Sequence, residues 1–175
     1  FPKEKQVKYF KGVGNEFATE THTFYEKQDD LLPVIIDNGG ASILKVYQLN
    51  EKGIFLVYEQ AEYYEDEVPS LQSLQAEFNE TSILTKSIKV GRVINGWEIV
   101  SVDEKLTIQV GTLNNVIVLE RENEDGSLNR EYWAPIYSLV KKEFYMKHED
   151  GNETRHWVGP QILSAGMLAQ RGTMQ

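Results

Sequence analysis

The chain has 175 residues, 41% of them hydrophobic and 26% charged, with 18 Lys and Arg against 27 Asp and Glu and a formal net charge of −9. This is the composition of a globular protein, one domain or two small halves sharing a core; its acidity argues against nucleic-acid binding and against docking on anionic lipid by charge, both of which need a basic face. The lack of cysteine excludes disulfides, thiolate nucleophiles and Cys-zinc sites in this chain, and no apolar run approaches the ~20 residues of a membrane-spanning helix.

The stretch 8–17 is a Gly-rich approach to the aromatic Phe17. Its Gly12-Val13-Gly14 lacks the third Gly and the Lys of a phosphate loop, so no nucleotide site is expected. Residues 17–25 are Thr-rich and predict a strand. Residues 31–36 predict another, and Pro33 assigns it to an edge or to a bent start. Asp37-Asn38-Gly39-Gly40 is a turn. Residues 42–49 and 53–60 then form two strands around the loop Asn50-Glu51-Lys52-Gly53, and the apolar run 54–58 predicts central burial. The stretch from Glu59 to Glu67 carries Glu59, Glu62, Glu65, Asp66 and Glu67. It has neither the spacing nor the central Gly of an EF-hand loop, so a solvated edge or connector is expected, its charges discouraging strand-to-strand aggregation. Ser70 followed by Leu71, Leu74 and Phe78 on one face predicts a short helix that joins two halves.

Residues 83–90 predict the strand that enters the second half. Residues 97–102 and 106–110 predict a hairpin around the polar loop Asp103-Glu104-Lys105, because 106–110 alternates with period 2. Residues 111–115 read as a break, 116–120 as a central strand buried on both faces, and Asp125-Gly126 as a hairpin turn. Strands at 130–133 and 139–145 follow, separated by Pro135. A polar turn at 147–153, a last strand at 154–158 and a tail from 159 to 175 complete the reading.

Several offsets in this half match at once: Gly96-Trp97, Ile99-Val100-Ser101-Val102-Asp103, Val110-Gly111-Thr112, Asn115-Val116-Ile117-Val118, Tyr132-Trp133-Ala134-Pro135 and Leu139-Val140-Lys141-Lys142-Glu143-Phe144. With them, residues 88 to 146 resemble a module of uncharacterised secreted and lipid-anchored β-rich proteins of Gram-positive bacteria. The chain departs from that pattern where Tyr137 and Ser138 replace glycines after the Ala-Pro, and where Leu113 replaces an aromatic. The family has no assigned reaction. The resemblance therefore implies a fold and a compartment, extracellular or anchored to the cell surface, with a signal segment removed and a lipid anchor carried on an N-terminus ahead of Phe1.

Catalytic signatures are sparse. His148 and His156 flank one turn and, with Glu149 or Glu153, are the nearest approach to a metal triad, but they lie in a polar surface turn, and neither a metal nor a cofactor is expected. No Gly-x-Ser-x-Gly elbow exists, and no catalytic residue is assigned. The aromatics Tyr63, Tyr64, Trp97, Tyr132 and Trp133 are the candidate ligand-binding residues, at strand starts and ends where the mouths of curved sheets lie; Trp97 is also a candidate core anchor.

The expected fold is mainly β, antiparallel curved sheets in two related halves, an open barrel-like arrangement included, with little helix. Residues 1–75 form the N-terminal half, 76–146 the C-terminal half and 147–175 a terminal hairpin and tail, the halves able to share one domain. The expected function is non-catalytic binding of an apolar or peptide-like ligand, or of a protein partner, at the cell envelope. Net charge −9 points to a neutral or cationic ligand. The competing reading is a hydrolase using carboxylates of the Glu59–Glu67 stretch, which requires two acids converging in a cleft.

Overall fold

The computed structural model describes residues 1, 5–13, 19–109, 111–147 and 153–167. The strands are β1 (Gln6–Val13), β2 (Glu20–Phe24), β3 (Leu31–Asp37), β4 (Ser42–Asn50), β5 (Gly53–Ala61), β6 (Thr81–Thr85), β7 (Val93–Ile94), β8 (Trp97–Ile108), β9 (Gly111–Glu122), β10 (Leu128–Ala134), β11 (Ser138–Lys147) and β12 (Glu153–Met167). They form one antiparallel sheet in the order β6-β5-β4-β3-β2-β1-β12-β11-β10-β9-β8-β7. The chain is thus mainly β with little helix, as its alternating runs predict.

Both halves are meanders of consecutive strands, and they meet where β1 pairs with β12. The sheet curls until its two edge strands, β6 and β7, lie side by side. That seam has no backbone ladder among the described residues. The Asn95 side-chain amide donates to the Ser82 carbonyl across it at 2.6 Å, and Leu84 and Ile94 pack together with Ile99, Leu119 and Trp133 behind it. The curling is physically expected, because twisted strands in a long meander bring the edges of a sheet round towards each other.

The single helical stretch is α1 (Leu71–Leu74), continued by a 3₁₀ turn over Gln75–Glu77. Leu71 and Leu74 are buried, as their spacing predicts, while Ser70 makes no side-chain cap. The helix covers one face of β3, β4 and β5: Leu44 and Val46 pack with Phe55, Val57, Tyr63, Leu71 and Leu74. Side chains alternate across a strand, so Lys45 and Tyr47 face the other way, into the space enclosed by the curled sheet. A second apolar cluster joins Phe10, Ile108, Val116, Val118, Tyr132, Ala134 and Val140.

Six local readings are corrected. β6 stops at Thr85 and pairs with β5, so it closes the first meander rather than entering the second half through residue 90. β9 already starts at Gly111, inside the stretch read as a break. β1 is a full strand where the sequence reads as a Gly-rich approach. β8 runs unbroken through Asp103-Glu104-Lys105; these residues are exposed, and the register slips three times between Ile99 and Leu106, so a charged, bulged strand has the composition of a loop. Pro33 lies in a strand flanked on both sides. The β2 ladder ends at Phe24↔Val34, so the missing Pro33 N–H falls where the pairing has already stopped, and its carbonyl accepts from Tyr25 N at 3.0 Å. Finally, β12 continues through the stretch read as a tail. Its pairing with β1 skips between Gln161 and Val158, which puts Pro160 in the irregularity, where no N–H is required.

A cavity inside the curled sheet

The inner face of the sheet encloses two connected spaces. The deeper one, of about 310 Å³, is lined from β2 through β11. The outer one, of about 710 Å³, opens between the β4–β5 loop, the residues after β6 and the turn Pro135–Ile136. Phe1, Trp133 and Ser138 belong to the walls of both. These volumes match sites for small organic ligands.

The outer wall is largely apolar, with Leu49, Ile54, Leu84, Ile88, Ile117 and Ile136. Ile136 is 79% exposed and holds φ 71, an unfavourable region for a β-branched residue. The Thr85 hydroxyl, also on this wall, is buried with no hydrogen-bond partner among the described residues. The Phe1 ring sits at the junction, 5.5 Å from Tyr47, 6.2 Å from Trp133 and 6.3 Å from Phe24 between ring centroids. The space therefore accepts an apolar group among aromatic walls.

The inner wall is polar. Glu20 accepts from His22 Nε2 at 2.6 Å and from Lys142 Nζ at 3.0 and 3.1 Å. Burial alone would raise the Glu20 carboxyl, but the His22 and Lys142 contacts outweigh it and hold the group at about 2. Burial pulls His22 down to about 4, so at neutral pH the ring is uncharged. It stacks 4.2 Å from Phe10. Glu131 accepts from Trp133 Nε1 at 3.0 Å. Burial raises its carboxyl, opposed by the nearby cations Lys142, Lys45 and Arg121. Lys45 pairs with Glu59 at 2.9 Å, and the Arg121 guanidinium lies 4.8 Å from the Trp97 ring centroid.

Lys8, on β1, is fully buried. Its Nζ donates to the Tyr137 carbonyl and to Ser138 Oγ, the latter at 3.1 Å, and lies 4.3 Å from the Phe24 ring centroid. No carboxylate pairs with it among the described residues, and burial pulls its ammonium down to about 7. Ser138 is buried at φ 61 and Ile136 holds φ 71, so the turn after Pro135 carries left-handed backbone at these two positions but not at Tyr137 between them.

The five predicted ligand residues separate. Trp97 and Trp133 line the cavity. Trp97 opens β8 and is half-buried against Arg121, so it shares the roles of packing residue and cavity wall. Tyr63 is buried beneath the helix, donating to the Glu67 carbonyl. Tyr64 is 68% exposed. Tyr132 points to the opposite side from Trp133 and donates to Glu143 at 2.6 Å. None of these three tyrosines lines either space. Nor does any carboxylate from Glu59 to Glu67. Among the described residues no group of His, Asp and Glu is placed to hold a metal ion; His148 lies outside them.

Sequence reasoning missed Lys8, His22, Glu131, Ser138 and Lys142. The one signal for Ser138 in the sequence was its place just after Ala134-Pro135, where the pattern that residues 88–146 resemble carries glycine. No protein-family model, no curated protein and no solved structure matches the chain.

Proposed function

We propose that this is a binding protein of the cell envelope that holds an apolar or peptide-like ligand inside the curled sheet. The observation that carries the reading is the outer cavity, an apolar space walled by Trp133 and isoleucines and opening to solvent at one end of the sheet. Water in such a space gains little from its walls, and transfer of an apolar group into it is favoured at ~25 cal/mol per Å² buried. The inner polar cluster then orients the ligand, the usual division of labour in small-molecule sites. Placement in the envelope rests on the resemblance of residues 88–146 to secreted and lipid-anchored proteins, and fractionation of cells producing the full-length protein tests it. The carboxylates between Glu59 and Glu67 do not converge on the cavity, and no observation favours a hydrolase built on them.

The test is titration with the neutral apolar dye Nile red, following its emission and the quenching of tryptophan. A saturable blue-shifted signal is expected, lost when Ile117→Asp puts a charge in the outer wall. Absence of saturable binding to the wild-type protein would refute the reading.

A further inference from the structure

Lys8 and Ser138 add a head-group site to this cavity. A buried charge without a partner costs several kcal/mol, which is why buried cations are normally paired. The other side-chain cations near the inner wall follow that rule. Lys142 is held by Glu20 and Lys45 by Glu59, while Arg121 stacks on Trp97 close to Glu131. Lys8 has instead a carbonyl, a hydroxyl and a ring face, all neutral. Its ammonium stands directly behind Ser138, and Ser138 belongs to the wall of both spaces. A ligand at the junction would therefore meet a hydroxyl polarised by a cation, with the apolar outer space running away from it.

We propose that the ligand is a carboxylate amphiphile of the fatty-acid class, its carboxylate held at Ser138 and Lys8 and its chain lying in the outer cavity along Ile54, Leu84 and Ile117. The inference rests on the binding reading above and specifies its ligand. In the structure the Ser138 hydroxyl accepts from Lys8 and donates its one hydrogen to the Tyr137 carbonyl. On binding, that hydrogen would turn from the neutral carbonyl to the carboxylate, which also supplies the counter-charge that Lys8 lacks, and hydrogen bonds to charged groups are about twice as strong as neutral ones. A cationic amphiphile would meet Lys8 unfavourably, and an alcohol would leave its charge uncompensated. The local charge thus overrides the −9 of the whole chain, because the burial that makes an isolated charge expensive also strengthens its interaction with a neighbour. The aromatic junction where the Phe1 ring lies is the passage such a ligand would fill.

The experiment is calorimetric titration of the full chain with dodecanoate, dodecanol and dodecylamine at pH about 6 and one salt concentration, where Lys8, at about 7, carries its charge. Dodecanoate is expected to bind at least tenfold more tightly than the other two. Lys8→Met, close in shape, should erase that preference while leaving dodecanol affinity within about twofold. Ser138→Gly, which suits the positive φ, should weaken dodecanoate several-fold, with the fold of both variants checked by circular dichroism. Equal affinity of the wild-type protein for dodecanoate and dodecanol would overturn the inference and leave the binding reading intact, as would a preference that survives in a folded Lys8→Met variant. Failure of all three ligands to bind would overturn both.

Discussion

Two buried charges on opposite sides of the sheet have opposite fates. Glu143, on β11, is 2% exposed and surrounded by partners: Lys141 Nζ at 2.6 Å, the Tyr132 hydroxyl at 2.6 Å, the Tyr145 hydroxyl, and Arg130 at 3.6 Å. Burial alone would raise its carboxyl, but the hydrogen bonds from Lys141, Tyr132 and Tyr145 outweigh it and hold the group at about 2. Lys8 is equally buried, has neutral partners, and falls to about 7. A buried charge whose lone pairs or protons are met by opposite charge serves the fold. One left uncompensated beside a cavity costs stability and is a candidate for function.

The comparison is broken most sharply by mutation. Glu143→Ala leaves Lys141 and Arg130 facing two tyrosine hydroxyls and should cost about 3–5 kcal/mol in urea unfolding at pH 7; a loss below about 1 kcal/mol would show that the network contributes little. Lys8→Met should act in the opposite direction, raising stability by about 1–4 kcal/mol, because a fitted apolar side chain replaces an uncompensated cation. A destabilisation of that size would instead make Lys8 part of the scaffold.

The pH dependence separates the two by window, since both lose stability as the pH falls, Glu143 in the acid range and Lys8 in the alkaline range. Glu143 and Glu20 sit at about 2 against an ordinary 4.5, so their contribution is complete above pH 4.5 and is lost as the pH falls towards 2. His22, at about 4 against 6.5, adds a loss as the pH falls from 6.5 to 4, because the unfolded chain takes up a proton that the buried ring refuses. For Lys8, at about 7 against 10.5, stability should decline as the pH falls from 10.5 to 7 for the same reason. Unfolding free energies across the pH range check this: Lys8→Met should flatten the limb between pH 7 and 10.5, and Glu143→Ala should make the acid limb shallower, Glu20 and His22 still contributing to it. The smallest effect expected is for the exposed Arg121→Ala, about 0.5–1 kcal/mol from its contact with Trp97, read in the same unfolding assay with a change in tryptophan emission.

Much of the sheet is legible from local pattern. The alternation of β4, the apolar run of β5 and the turns at Asp37–Gly40 and Asp125-Gly126 are properties of neighbouring residues, and they stand where the pattern puts them. The positive φ of Gly39 and Gly126 is what those turns require. The helix follows likewise from Leu71 and Leu74. Elements shaped by distant partners are less legible. β8 looks like two strands because its bulges put charged residues in sequence where the ladder slips against β9, and β12 looks like a tail because Pro160 falls in an irregularity set by β1.

The cavity belongs to this second kind. Period-2 alternation assigns side chains to two faces but does not say which face a curled sheet encloses. In β1, Val7 and Lys8 are both buried, so the alternation of apolar and polar residues carries no contrast there. Composition and alternation determined a mainly antiparallel β protein with aromatics at the strand ends, because those preferences act within a few residues. The closure of the sheet placed Trp97 and Trp133 on the cavity wall and left Tyr63, Tyr64 and Tyr132 off it, and it set Lys8 against Ser138, separated by 130 positions in the chain. The charge of a buried site depends on such distant neighbours, which no short stretch of sequence contains.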